Sequence, residues 1–433
     1  MGYVRQSAAA VPRPNEIWIP VLCILAALTT NTWLLSSTVG YGLSLVALTV
    51  AGVYLVFVAD VEVRIDLVFL ALFGGYWLVL TAGWFVDRSL DRLAYVLVTP
   101  LGVIVAMFLL PGVIDRSDGR RRLVTTLTAI GVLVAAIGFA MLAVESVTDL
   151  ATFPWTGGNV YGFSGYRTNS VFSNPNTYGF FMMVCTITAV LHAVARGPRP
   201  LSLSAIVLCS LAVLTSDSTG ALLGLGAGTA LVAAVAFRKT AIAVVFAGAL
   251  TTGALVVTGL LGTAIEGLLP ARVVALIDLL ISVRGTLWMA SIERLAADPL
   301  VGIGFGDTAA EIAPYVPPGG PVGYGTHNSY INILLQTGVV AGALYLTAVF
   351  YAVGAVIVSA LRTRFSPRER GDWWPVYVSA VLVAILVTMT FESMTLGGLS
   401  LNSVLLAIYL GLALSYGGAR VVEIRPREVL STG

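Results

Sequence analysis

Stretches of about twenty apolar residues, parted by charged or Gly- and Pro-rich breaks, recur from one end of this chain to the other. A helix needs about 20 such residues to cross a bilayer, so the sequence reads as an all-α, polytopic membrane protein. The expected spans are about twelve, at 17–36, 39–59, 65–86, 94–114, 123–146, 176–196, 201–217, 220–237, 239–262, 330–360, 374–393 and 399–417. The seventh and eighth are the least clearly resolved pair, separated only by "DSTG". Composition agrees: 58% of residues are hydrophobic and 11% charged, against about 25% charged in soluble domains. A net charge of +2 gives no sign of a nucleic-acid partner. Cys23, Cys185 and Cys209 all fall in apolar runs and read as small buried hydrophobes. No cleavable leader pattern precedes the first span, and residues 1–433 read as one integral membrane domain.

Lys and Arg gather on the cytoplasmic side of membrane proteins. With both termini inside, only Arg88, Arg92, Arg167, Arg272, Arg284 and Arg294 of the 24 basic residues fall outside. That asymmetry supports a multi-pass protein of the cytoplasmic membrane with two external segments, 147–175 and a large loop at 263–329. Polar residues of interest collect on that outer side. His192, near the inner end of span six, reads as structural or interfacial.

The first external segment ends in "GFSGYRTNSVFSNPNTYGFF", residues 162–181. Asn174-Pro175-Asn176 signals a turn, with Asn176 a candidate cap for the next helix. Arg167 stands just before it among turn-forming and aromatic residues. In the large loop, 270–282 and 284–298 have helical periodicity but are too short to span. Arg284, Trp288, Ser291 and Leu295 share one face of the second, which suits a helix lying along the membrane surface among lipid headgroups. Pro299 ends it, "GIGFG" (302–306) reads as a flexible turn, and "PYVPPGGP" (314–321) as an irregular connector. The guanidinium groups of Arg167 and Arg284 suit an anionic group, since a planar fork binds phosphate oxygens two at a time.

His327 stands where the loop re-enters the membrane, at the mouth of span ten. A helix N-terminus is unfavourable for a cation, and a neutral imidazole can accept a proton from a hydroxyl. Asn328, Asn332 and Gln336 follow at intervals of four on one helix face, and polar groups within a membrane face protein or a water-filled cavity. Asp217, in "TSDSTG", and Glu392, in "TMTFESMTLGG", belong to the same side. Either could orient His327 or pair with an arginine, and Asp217 could equally cap the helix that starts near Thr219. No phosphate-binding glycine loop, zinc-protease motif, Cys/His cluster or nucleophile elbow is present. The expected chemistry therefore needs neither metal nor cofactor.

In order, "RTNSVFSNPNTYGFF", "RGTLWMASIERLAADPLVGIGFG" and "HNSYINILLQTGVVAGALYL" resemble the O-antigen ligase and polymerase superfamily over 165–345. One departure is "SDSTGALLG", where members often carry "SR" before small residues. The resemblance implies transfer of a glycan from a polyprenyl-diphosphate carrier to an acceptor hydroxyl at the outer face, with inversion. The acceptor could be a glycan, a glycolipid or another hydroxyl compound, with membrane lipids around the site. On that basis His327 is the candidate base and Arg167, Arg284 and Asn328 bind the diphosphate or substrate. Asp217, Glu392, Asn176 and Asn332 are candidates for support.

Two other classes compete: a flippase for lipid-linked sugars and a non-catalytic scaffold for envelope assembly. Many transporters have two related halves with interrupted helices, and no such repeat is visible in the sequence. The topology has a direct check. Single cysteines at Ser282 and Ser366, in a background without the native three, should label from opposite sides of the membrane. Labelling of both from one face would end the twelve-span arrangement.

Overall fold

The computed structural model describes residues 16–59, 61, 63–148, 158–160, 163–165, 167–237, 284–362, 373–416 and 421–424. Among these the helices are α1 (Trp18–Thr29), α2 (Ser37–Phe57), α3 (Leu67–Asp87), α4 (Leu90–Ile114), α5 (Ser117–Thr148) and α6 (Pro175–Arg196). They continue with α7 (Pro200–Thr215), α8 (Thr219–Phe237), α9 (Arg284–Ala297), α10 (Ser329–Arg362), α11 (Trp374–Met389) and α12 (Leu401–Leu414). By length and composition α2 to α6 and α10 can each cross a membrane. Five others, α1, α7, α8, α11 and α12, are apolar but shorter. The protein is thus a helical, multi-pass membrane protein. The expected ninth span, 239–262, and the loop helix expected at 270–282 lie outside the described residues.

Helices α6, α11 and α12 form the centre, buried along most of their length. Around them α8 packs on α11, α7 on α6 and α5, and α10 on α3 and α11. The periphery keeps large apolar side chains exposed: Val46, Val50 and Val53 on α2, Leu78, Phe85 and Val86 on α3. In water such a surface would be a liability; against lipid tails it is the expected one. The three cysteines are buried and free. Two short ribbons depart from an all-helical reading. Val63–Asp66 (β1) pairs antiparallel with a strand at Val421–Ile424, and Gly158–Val160 pairs with Phe163–Gly165 inside the expected first external segment.

Several helices stop short at the same end of the bundle, and irregular backbone takes their place. α11 ends at Met389 rather than near 393. After it Thr390, Phe391, Met394 and Leu396 stay buried although no helix continues. Residues 168–170 are likewise buried and non-helical. Such backbone survives at membrane depth only where protein satisfies it or where it lines a cavity. Here Thr168 N–H donates to Thr215 O (3.0 Å), Ser173 N–H to Asn31 O (2.8 Å) and Trp33 Nε1–H to Ser170 O (2.9 Å).

The deepest break lies inside α10, where Gly338 adopts φ 79°, ψ 168°. The carbonyls freed at Leu335 and Gln336 accept from Ile303 N–H and Gly304 N–H, both at 2.9 Å. In return Val339 N–H donates to Pro299 O (2.7 Å). The turn after α9 is therefore stitched into the broken helix, and is not the free hinge that its glycines suggest. Gly302 and Gly338 both have positive φ. A Cβ on Gly338 would lie 2.1 Å from Leu300 O, and one on Gly302 2.5 Å from Leu335 O. Arg92, fully buried on α4, adds Nη2–H to Val301 O at 3.3 Å.

Helix α9 corrects a second expectation. Leu287 and Ala290 pack against Ile312 and Leu335, with Trp288 and Ser291 also buried. Its apolar face is docked on protein, not laid among headgroups, because the stitched turn holds it against the first half of α10. Beyond it Thr308–Ile312 forms one helical turn, capped by Asp307, and Ala313–Tyr315 a 3-10 turn at the start of the expected connector. Gly338→Ala or Gly302→Ala should lower the melting temperature of the purified protein strongly. Left-handed strain costs about 1–3 kcal/mol, and overpacking adds about as much again. Gly306→Ala, with nothing within 4 Å and no positive φ, should leave it unchanged.

Candidate active site

Three irregular segments meet at the end of the bundle where helices stop short: 167–174, 324–328 and 390–400. Helix α9 brings Arg284 to the same place. Its Nη2 lies 3.9 Å from Glu392 Oε1, and its guanidinium sits over the Phe391 ring, 5.6 Å from the centroid. The other carboxylate oxygen, Oε2, is 3.8 Å from His327 Nδ1. Glu392 thus stands between a cation and an imidazole. Both separations exceed a hydrogen bond, so the arginine fork is not fully engaged. Arg167 forms a close ion pair with Asp217, while its Nε is buried without a partner among the described residues.

The two pairs belong to one electrostatic cluster. Burial draws the Arg284 guanidinium below its ordinary value; Glu392 opposes this, Arg167 adds to it and Asp217 opposes it. A guanidinium stays charged despite such a shift. Two cations held against two carboxylates leave the resting site near neutral, so neither arginine is buried as an uncompensated charge.

Backbone strain marks the same place. Among the described residues four non-glycines have positive φ: Arg88, Ser170 (51°), Asp217 (53°) and His327 (46°). Ser170 and His327 sit in two of the three segments, and Asp217 in the turn between α7 and α8. Left-handed non-glycine residues persist only where their surroundings fix them. Ser170 is held by its Oγ–H to Val134 O (2.8 Å) and by Trp33, and Asp217 by its pair with Arg167.

The capping roles fall differently from expectation. His327 lies two residues ahead of α10, and its side chain, about a third exposed, is not the cap. Asn328 is: its Oδ1 accepts from Tyr330 N–H (3.0 Å) and Ile331 N–H (3.1 Å), while its Nδ2 is buried without a partner among the described residues. Asn174, not Asn176, caps α6, accepting from Asn176 N–H at 2.8 Å. The Asn176 side chain has no hydrogen bond or ion pair among the described residues that ties it to the cluster. Ser218 Oγ, not Asp217, accepts from Ala221 N–H at the start of α8 (3.4 Å).

Asn332 makes no hydrogen bond to either arginine among the described residues: Thr326 Oγ1–H reaches its Oδ1 at 3.5 Å, and its side chain helps to line a cavity beside the 392–395 segment. His192 is buried near the opposite end of α6, remote in sequence from the cluster. Sequence reasoning missed Ser329. Its Oγ–H donates to Glu392 O (2.6 Å) and its Oγ accepts from Met394 N–H (2.9 Å), which fixes the backbone that carries Glu392 beside the helix mouth. A serine directly after the capping asparagine is the one signal that could have revealed it.

Comparison with known proteins adds one result. Residues 204–346 match the O-antigen ligase family model, which takes in Asp217, Arg284, His327, Asn328 and Asn332 but stops short of Arg167 and Glu392. No curated protein matches the chain. The part of the molecule that runs from α7 into the first half of α10, with the stitched turn between, is similar to the O-antigen ligases.

Proposed function

We propose that this protein is a membrane glycosyltransferase that moves a glycan from a polyprenyl-diphosphate carrier to an acceptor hydroxyl, at a site facing the outer side of the membrane. The observation that carries the proposal is the position of Glu392, with Arg284 at one carboxylate oxygen and His327 at the other. A cation suited to phosphate and a group able to take a proton are held by one acid. The O-antigen ligase match over 204–346 supports the same chemistry.

In the proposed step the acceptor oxygen attacks the anomeric carbon. The bond from that carbon to the diphosphate breaks, and its electron pair passes to the leaving oxygen. Direct displacement inverts the carbon. Arg284 and Arg167 neutralise the charge that gathers on the diphosphate, an interaction strongest in the transition state. Glu392 holds the His327 Nδ1–H, so that Nε2 takes the proton of the acceptor hydroxyl. Separations near 3.8 Å suit a resting site, since catalytic hydrogen bonds commonly tighten only with substrate bound. Ligase and polymerase share this step and differ only in the acceptor.

An interrupted helix is also a feature of transporters. In this protein the groups freed at Gly338 are taken by backbone from 299–304. That use of the break supports an anchored loop, not an ion site.

Two substitution series test the reading. Because Arg284 keeps its fork open, Arg284→Lys should lose most transfer at normal protein level, and Arg167→Lys should behave alike. Parental rates from both would end the role of the arginines. For the base, His327→Asn is the sharper variant, since asparagine tolerates the left-handed backbone that His327 adopts. It should fold normally and lose about 10²–10⁴-fold in rate, as should His327→Ala and His327→Gln. Asn328→Ala should instead cost about 1 kcal/mol of stability through the lost cap. An active glutamine variant would reduce His327 to a positioning role.

A further inference from the structure

A cavity of about 650 Å³ opens beside the segment that carries Glu392. Its volume falls within the range of ligand sites, about 300–1,000 Å³. Glu392 stands between Arg284 and His327, while Ser393, Met394 and Thr395, next in sequence, line the cavity. The opposing wall is the first half of α10, from which Asn332 and Gln336 project one helical turn apart. Both are more than nine-tenths buried. Gln336 Oε1 has no partner among the described residues, and its Nε2 reaches only Thr308 Oγ1, at 3.4 Å. Two primary amides are thus held in a largely buried wall with donors and acceptors to offer. Burying an amide without partners is costly, so the arrangement is one that a polar occupant completes.

The rest of the lining narrows the chemistry. Tyr95 and Phe305 stack at 3.7 Å between centroids, and Tyr41 stands at the rim, 44% exposed. Among the described residues the lining contains no Lys or Arg; its one carboxylate there is Asp91, exposed in the first turn of α4. A diphosphate would meet a negative rim there and no cation. A lipid tail would strand the amides. Aromatic faces beside amide, hydroxyl and carboxylate groups match an uncharged saccharide, whose ring has an apolar C–H face and an edge of hydroxyls.

The cavity also adjoins the segment that carries the histidine. Arg284 and His327 flank Glu392, and Thr326, next to His327, reaches Asn332 in the cavity wall. We infer that this cavity binds the saccharide of the acceptor, presenting its hydroxyl to His327 while the carrier diphosphate occupies the arginines. The inference rests on the transfer reading above and adds to it where the acceptor sits and that the bound portion is uncharged sugar.

A photo-crosslinking amino acid at Tyr41, in the full chain expressed in the cells that make it, tests this. The same probe at Val46, on the exposed apolar face of α2, is the control. Mass spectrometry of the Tyr41 adduct should show sugar increments without a polyprenyl diphosphate, and the Val46 adduct should show none. Gln336→Leu should cut the saccharide adduct about tenfold with the melting temperature kept. Asp91→Asn, at an exposed position that cannot disturb packing, should cut it several-fold and serves if the leucine variant fails to fold. Binding does not require turnover, so the adduct should survive in His327→Ala. Its presence there is independent of whether that variant still transfers glycan. An acyl-lipid adduct, a glycan still joined to its diphosphate carrier, no adduct, or an adduct indifferent to the folded variants would each overturn the assignment.

Discussion

The exchange of backbone hydrogen bonds between the break at Gly338 and the turn 299–304 is the interaction on which the site depends. A helix that breaks inside an apolar bundle leaves carbonyl and amide groups that lipid cannot satisfy. Residues 299–304 supply the partners, and the described segment 284–328 is thereby anchored where it would otherwise only connect. Helix α9 follows, because the turn begins where α9 ends. Arg284 at the head of α9 and His327 at the head of α10 then both come to Glu392. The two glycines with positive φ are the sequence cost of so close an approach.

The same economy governs the rest of the site. Where α11 and the segment before α6 stop being helical, the chain can turn side chains across the bundle end, which a straight helix cannot do. The strained residues Ser170, Asp217 and His327 lie before α6, between α7 and α8, and before α10. Ion pairing serves the arginines in two ways. It keeps their charge compensated when no anion is present, and it leaves the Arg284 fork only loosely engaged. Under the proposed function, a diphosphate would replace carboxylates as the arginines' partner. Glu392 would then be left to His327.

Much of the fold was legible in the sequence. Apolar runs marked the helices, and even the three-residue separation of α7 from α8 was readable. The site was legible as a set of residue types on one side, since arginines, a histidine and amides are rare in such a chain. The pairing was not: nothing in "TFES" or "TSDSTG" says that Glu392 meets Arg284 and His327 while Asp217 meets Arg167. Nor could periodicity show that α10 breaks, because Gly338 sits in a run apolar enough to read as one span. The glycines of 302–306 suggested flexibility because their conformational freedom was visible and their hydrogen-bond partners, some thirty residues on, were not. The caps at Asn174 and Ser218 lie within two residues of the expected Asn176 and Asp217, the ordinary uncertainty of a helix end.

The central claim is that one carboxylate, Glu392, holds the phosphate-binding arginine and the base in a single site. A cryo-electron microscopy structure of the protein in a lipid nanodisc with a polyprenyl-diphosphate sugar tests it most directly. The account predicts the diphosphate between Arg167 and Arg284, the anomeric carbon facing His327, and the Glu392–His327 separation shortened to a hydrogen bond. A diphosphate bound away from both arginines, or an anomeric carbon beyond the reach of any hydroxyl held at His327, would contradict it.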